Sequence, residues 1–459
     1  MSEHRLDAPI VICSNRGPVS YHSVNGELEG VRGAGGLISG LLPLMESGQA
    51  RWIAAALSEE DRAAAALSLP ERSGPLHLLD INAEDLDLYY NIVSNEVLWF
   101  LHHGLLDSTY TPSYTDEWRT AWQAYRRVNT AFARAVCHHG PDGATVLVQD
   151  YHLTLLAPLV AAERPDLRLV HFHHTPFAGP SEVRLLEPTA RREILTGLAA
   201  HHACGFHIGR WETNFRRCIE DMHLPSTSTF TSTLSSDLGA IREVAASPAC
   251  DAALAKLTER VGDRFVIGRV DRMELSKNIV RGFAAYERLL GLRPELVGRV
   301  VFVAQCYPSR VNVPAYRRYR DLVVDTVERI NGRWGSAEWT PIELADVDDF
   351  PASVATYRRY DALLVNPVRD GLNLVAKEGP AVNERHGQVV LSSEAGASVE
   401  LAGAADEVHP FDVVATSEAL SAIIDRSPSE RRARSEQLRR DIESRTPQDW
   451  LADQLHAAE

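Results

Sequence analysis

Asp370, Asn373 and Glu378 follow an apolar run, residues 362–365, across a join that contains Gly371. The run reads as a buried strand, and the residues beyond Leu374 have helical composition. A strand that turns tightly into a helix aims free amide N–H groups at whatever lies above it, which makes a ready anion site. The plain alternative is an ordinary α/β turn with a helix-capping Asn, and Asp370 and Glu378 decide between the two only if other segments supply partners. Arg272 and Lys277 do so: they flank a short loop after a second strand-like run, residues 264–268. Two cations at the mouth of a sheet suit a diphosphate, since Arg chelates oxygens and Lys adds a point charge. Their alternative reading is a pair of solvated surface charges.

The elements that must position these groups alternate along the chain. Strand-like runs fall at residues 9–13, 145–149 and 167–173 in the first half. Others fall near 264–269, 299–305, 362–366 and 388–392 in the second. Trp118, Trp122, Tyr125, Phe132 and Val136 recur at helical spacing after a start signal at Thr115-Asp116-Glu117, and read as a core-facing stripe. Strands alternating with helices argue for parallel sheets in both halves. Composition shifts sharply to Ser and Thr near residues 226–240, which marks a crossing between domains. The expected organisation is 1–232, 233–440 and a C-terminal helical segment at 441–459. Ligands of doubly wound sheets bind outside the carboxyl ends of the strands. That rule would gather the motifs into one cleft between two domains.

Composition bounds the partners. A chain of 459 residues exceeds one ordinary core, so two domains are natural. The balance of 47 Lys+Arg against 62 Asp+Glu gives −15, which argues against nucleic acid or an anionic membrane as partner. No apolar run reaches transmembrane length, and the N-terminus lacks a signal-peptide core. Cys13, Cys137, Cys204, Cys218, Cys250 and Cys306 are scattered without a C-x-x-C pair and read as free thiols in a reducing cytoplasm. His171, His173 and His174 raise a metal site, but adjacent strand residues point to opposite faces, so no metal is expected.

With the N-terminal half included, further motifs fall in order: Ile12-Cys13-Ser14-Asn15-Arg16, Gly35-Gly36-Leu37, Tyr90-Asn91 with Ser94-Asn95 and Trp99, and Gln149-Asp150-Tyr151-His152. His174-Thr175-Pro176-Phe177, the Arg272 to Lys277 segment, Ser309-Arg310, Trp339-Thr340-Pro341 and the Asp370 to Glu378 segment complete the series. From about residue 10 to the C-terminus the chain resembles the trehalose-6-phosphate synthases. These are retaining glycosyltransferases of the GT-B fold, an α/β class with two Rossmann-like domains facing a central cleft.

The resemblance implies roles. Arg272 and Lys277 would hold the diphosphate of a UDP- or GDP-glucose co-substrate, aided by the amides of Leu374 and Val375. Glu378 would bind ribose and Asp370 the transferred glucose, with Asn373 in the same donor segment. Gly35 and Gly36 would belong to a loop closing over the donor phosphates. Arg16, Tyr90, Trp99 and Arg310 would cradle the phosphate of glucose 6-phosphate, and Asp150 and His174 would orient the reacting sugars. The reaction expected is an α,α-1,1 glucosyl transfer with no cofactor and no protein nucleophile, and a homo-oligomer is compatible with it.

Two positions depart from the family. Ala55 stands where better-known members carry a second aromatic, and Thr233-Leu234-Ser235-Ser236-Asp237 lacks the usual interdomain glycine. A second reading therefore keeps the donor chemistry and joins a sugar or cyclitol to a different phosphorylated or amino sugar. A third is a silent relative that binds sugar phosphates and regulates a partner, which should have lost donor-site residues that are present here.

Overall fold

The alternation of strand and helix resolves into two units in the computed structural model, which describes residues 9–33, 36–67 and 75–459. One unit runs to Leu234 and takes back Pro447–Glu459, and the other is Ser235–Thr446. Ala34 and Gly35 of the glycine loop lie outside the described residues.

The first unit holds nine of the described strands: β1 (Ile10–Arg16), β2 (Val19–Val24), β3 (Glu27–Arg32), β4 (Ala50–Ala55), β5 (Leu76–Leu79), β6 (Thr145–Gln149), β7 (Arg168–His173), β8 (Ala203–Phe206) and β9 (Ser228–Thr231). Seven of them form a sheet in the order β5-β4-β1-β6-β7-β8-β9, and β2 and β3 make an antiparallel hairpin. Every neighbouring pair of the larger sheet is parallel. β1 is buried from Ile10 to Asn15 and β6 throughout, because helices cover both faces of such a sheet. The helix Asp116–His139 starts at Thr115, whose hydroxyl accepts from the Trp118 amide at 3.4 Å, and its predicted stripe is buried. The Ser/Thr-rich stretch proves to contain an edge strand, β9, before the chain leaves the unit after Leu234. At the other end, the helix Pro447–His456 packs Trp450 against Phe172 of β7, and Gln454 accepts from Gln149 at 3.1 Å.

The second unit contains β10 (Phe265–Met273), β11 (Val300–Pro308), β12 (Ile342–Ala345), β13 (Ala362–Val365), β14 (Gln388–Ser392) and β15 (Asp406–Val408). They form a parallel sheet in the order β12-β11-β10-β13-β14-β15. Ile267, Phe283, Tyr286, Leu290, Phe302 and Leu364 form part of its core. β10 and β11 run four and three residues beyond the apolar stretches expected at 264–269 and 299–305, and the extension of β10 carries Asp271 and Arg272. Both units are thus doubly wound, and each has a point where the strand order reverses: between β1 and β6, and between β10 and β13. These are the positions where such sheets open a crevice for ligand.

Candidate functional site

In the second unit the reversal point brings the two sequence segments together. Arg272 is the penultimate residue of β10, and the loop after β13 carries Asn366 to Asp370. Lys277 Nζ donates to Asp370 Oδ2 at 2.7 Å, and both side chains are mostly buried. Burial opposes the charge on Lys277, but Asp370, Asp271 and Glu274 outweigh it and hold its pKa above the usual value. Lys277 is therefore held in its charged form. Asn373 adopts φ 76° and turns its amide to Asp370 Oδ2 at 3.2 Å, so it holds the loop instead of capping the helix. The Asp370 backbone is held on both sides: its N–H donates to Glu394 O at 3.1 Å, and its carbonyl accepts from Gly396 N–H at 3.1 Å. The helix Val375–Val382 begins directly after, with Leu374 at its N-cap, so the amides there are aimed out of the helix end.

Several groups that the sequence reading passed over support this arrangement. Arg269, fully buried in β10, donates to Asp271 Oδ2 at 2.9 Å and Asn366 Oδ1 at 2.8 Å, and also to the Lys277 carbonyl. A charged residue in the middle of an apolar strand was the available signal. Burial raises the Asp271 pKa, while Arg269 and Lys277 pull it back. Glu378 keeps some exposure, yet protein encloses its carboxyl deeply enough to raise its pKa to about 7, against a lowering by the Tyr357 hydroxyl, which donates to it at 3.2 Å. Tyr357 had no sequence signal linking it to Glu378.

Arg310 also belongs to this unit. It sits just past β11 with φ 47°, donates to the Tyr316 hydroxyl at 2.6 Å, and lies 3.5 Å from Glu274 Oε1. Arg272 reaches the same Glu274 oxygen at 2.9 Å.

In the first unit, Arg16 projects exposed from the end of β1 and makes no ion pair among the described residues. Ala55 pairs with Arg16 in the register of β4 and β1, and Trp52 is buried, its indole donating to Ser14 Oγ at 2.7 Å. Asp150 follows β6 with φ 69° and ψ 173°, a region that non-glycine residues occupy at a cost of about 1–3 kcal/mol. Its carboxylate accepts from the His174 amide at 3.2 Å. Strain held at a sheet's reversal point marks Asp150 as a group whose position matters. The His174 ring bonds Gln149 Oε1 at 2.9 Å through Nε2, and burial lowers its pKa to about 3. The imidazole is neutral, and the C-terminal helix steadies it through Gln454 and Trp450.

Tyr90 lies on a π-helical segment, Leu88–Leu98, and stacks on His152 with ring centroids 5.9 Å apart. Trp99 follows it, buried and stacked on His103 at 4.0 Å. Gly36 is the first residue of the helix Gly36–Glu46. The histidines separate as adjacent strand residues should, with His173 and His174 on opposite faces. His171 and His173 share a buried face, 3.4 Å apart between ring nitrogens, with His102 and His201 against them, while His174 turns away. No group of three metal-ligating side chains is gathered among the described residues.

The model of glycosyltransferase family 20 matches residues 9–459. The chain is 32% identical over 94% of its length to the bifunctional trehalose-6-phosphate synthase/phosphatase of Thermoproteus tenax, of which it spans only 62%. It is 30% identical to the UDP-forming α,α-trehalose-phosphate synthase of Schizosaccharomyces pombe, covering 96% of this chain and 88% of that one. Among solved structures, an E. coli trehalose-6-phosphate protein bound with UDP-2-fluoro glucose is similar with TM-score 0.85 and 28% identity, over 98% of this chain and 99% of that one. A UDP-forming synthase of Burkholderia xenovorans in complex with glucose 6-phosphate gives 0.84 and 26%, over 98% and 100%. The two parallel-sheet units are those of the GT-B class, and the chain belongs to glycosyltransferase family 20.

Proposed function

We propose that this chain transfers glucose from a nucleoside-diphosphate glucose to glucose 6-phosphate with retention, forming trehalose 6-phosphate. The observation that carries the donor side is the Lys277–Asp370 contact beside a helix start, at the reversal point of the second sheet. Arg272 and Lys277 balance the charge that grows on the departing diphosphate, and the amides of Leu374 and Val375 add donors to it. Asp370 accepts from glucose hydroxyls and Glu378 from the ribose. The UDP-forming chemistry of the similar synthases supports uridine as the base.

Arg16, Tyr90, Trp99 and Arg310 bind the acceptor phosphate in this reading, and Asp150 and His174 orient the sugars. The neutral His174 imidazole supports a hydrogen-bonding role over a charged one. The acceptor hydroxyl attacks on the face that the diphosphate leaves, and a diphosphate oxygen takes its proton, so catalysis is positioning and charge stabilisation. Six free, buried cysteines support a cytoplasmic setting. No helix among the described residues is long and apolar enough to cross a membrane.

Release of nucleoside diphosphate tests this reading. It should require donor and glucose 6-phosphate together, and Arg310→Ala should raise the KM for glucose 6-phosphate at least about tenfold. An unchanged KM would refute the acceptor assignment. A second reading, with another phosphorylated or amino sugar as acceptor, is favoured by the small Ala55 beside Arg16. It predicts release with such a sugar and none with glucose 6-phosphate.

A further inference from the structure

Three donors of the second unit converge on one oxygen of a buried carboxylate. Glu274, 1% exposed, receives Arg272 Nη1 at 2.9 Å, Ser309 Oγ at 3.2 Å and Arg310 Nη1 at 3.5 Å, all on Oε1. The two guanidiniums differ in setting: the Arg272 side chain is 47% exposed, whereas that of Arg310 is 12% exposed and is also held by the Tyr316 hydroxyl and ring. Each guanidinium offers five N–H donors in a rigid fork, so a bond to Glu274 leaves others to meet an external anion while fixing the fork's plane. A carboxylate buried at this depth needs its cations, and they need it.

We infer that Glu274 is a positioning residue that ties the donor-anion site at Arg272 to the acceptor-anion site at Arg310. The inference rests on the proposed roles of those two arginines. Because both share one oxygen, an anion that draws one guanidinium toward itself changes the pull of Glu274 on the other. Binding at one site is therefore felt at the other, and the coupling is reciprocal. A carboxylate that served only to fill the core would leave the two sites independent.

The test is calorimetric binding of UDP, with and without saturating glucose 6-phosphate, to the whole chain and to Glu274→Gln. The wild type should show at least about a fivefold change in UDP affinity when the second anion is present. Glu274→Gln keeps the side chain's shape and an acceptor oxygen but removes the charge. It should bind each ligand alone within about threefold of wild type and bring the coupling factor to within about twofold of unity. Ser309→Ala, which loosens the carboxylate without removing it, should reduce the factor partway. Equal coupling in wild type and Glu274→Gln would overturn the inference. So would a wild type whose sites bind independently, or a Glu274→Gln protein that loses both affinities together with its melting temperature. If glucose 6-phosphate does not bind the wild type at all, the acceptor reading is what fails. Inorganic phosphate then serves as the second anion, and the role of Glu274 is scored on the same factor.

Discussion

Glu378 ought to cost the folded protein stability at neutral pH, and replacing it should expose that cost. Its carboxyl is shifted from an ordinary 4.5 to about 7, chiefly by burial. Below pH 4.5 both folded and unfolded chains hold the proton, and the group is neutral for stability. Between 4.5 and 7 the unfolded chain releases the proton while the folded chain keeps it, so stability falls as pH rises. Above 7 both are ionised and the penalty is constant. At 1.36 kcal/mol per unit the full penalty is about 3 kcal/mol, reached near pH 8, and under about 1 kcal/mol of it is present at pH 5.

Glu378→Gln keeps an acceptor for the Tyr357 hydroxyl and never ionises. Its stability relative to wild type should therefore grow by about 2.5 kcal/mol between pH 5 and pH 8 in urea denaturation. The same variant should bind UDP at least about tenfold more weakly at pH 8, since an amide replaces the carboxylate offered to the ribose. Wild-type UDP affinity should itself rise with pH through about 7 and level off. A stability difference flat within about 0.5 kcal/mol over that range would refute the burial argument. An unchanged UDP affinity would refute the ribose assignment. With the ribose role proposed for Glu378, this cost would be a trade between folding and function.

Other variants probe the supporting geometry. Arg272→Ala or Lys277→Ala should lower kcat at least about a hundredfold in nucleoside diphosphate release, by removing charge from the leaving group; a loss confined to KM would contradict that role. Asp150→Gly should be more stable than Asp150→Ala by about 1–2 kcal/mol in thermal unfolding, because glycine tolerates the φ 69°, ψ 173° backbone, while both should be nearly inactive. In Gly396→Ala the new methyl would lie 2.1 Å from the Gly371 carbonyl oxygen. The clash should displace the Asp370 loop, costing about 1–3 kcal/mol and weakening UDP binding in the same calorimetric assay.

Much of the scaffold was legible because parallel sheets covered on both faces demand continuous apolar runs. β6 and β14 fall at the expected residues, and the stripe from Trp118 to Val136 faces the core. Elements whose signal is weak were not. β5 is four residues that are only half-buried, and β9 hides within a Ser/Thr-rich stretch that reads as a linker. The last residues of β10, Asp271 and Arg272 among them, look like loop but extend the ladder with β11.

The candidate site was legible where charge follows an apolar run, as at Arg272, Lys277 and Asp370. Its supports were not, since they act through long-range packing. Tyr357 meets Glu378 from a neighbouring helix, and Gln454 reaches Gln149 from the far end of the chain. Glu274 stood in plain view between Arg272 and Lys277, but only the fold shows that Arg310 shares it.

The most direct test of the central claim is to identify the product of this chain by NMR after incubation with glucose 6-phosphate and UDP-, GDP- or ADP-glucose in turn. The account predicts an α,α-1,1-linked trehalose 6-phosphate, formed with UDP-glucose and absent when either substrate is withheld. Free glucose, an inverted linkage, or no disaccharide phosphate from any of the three donors would contradict it.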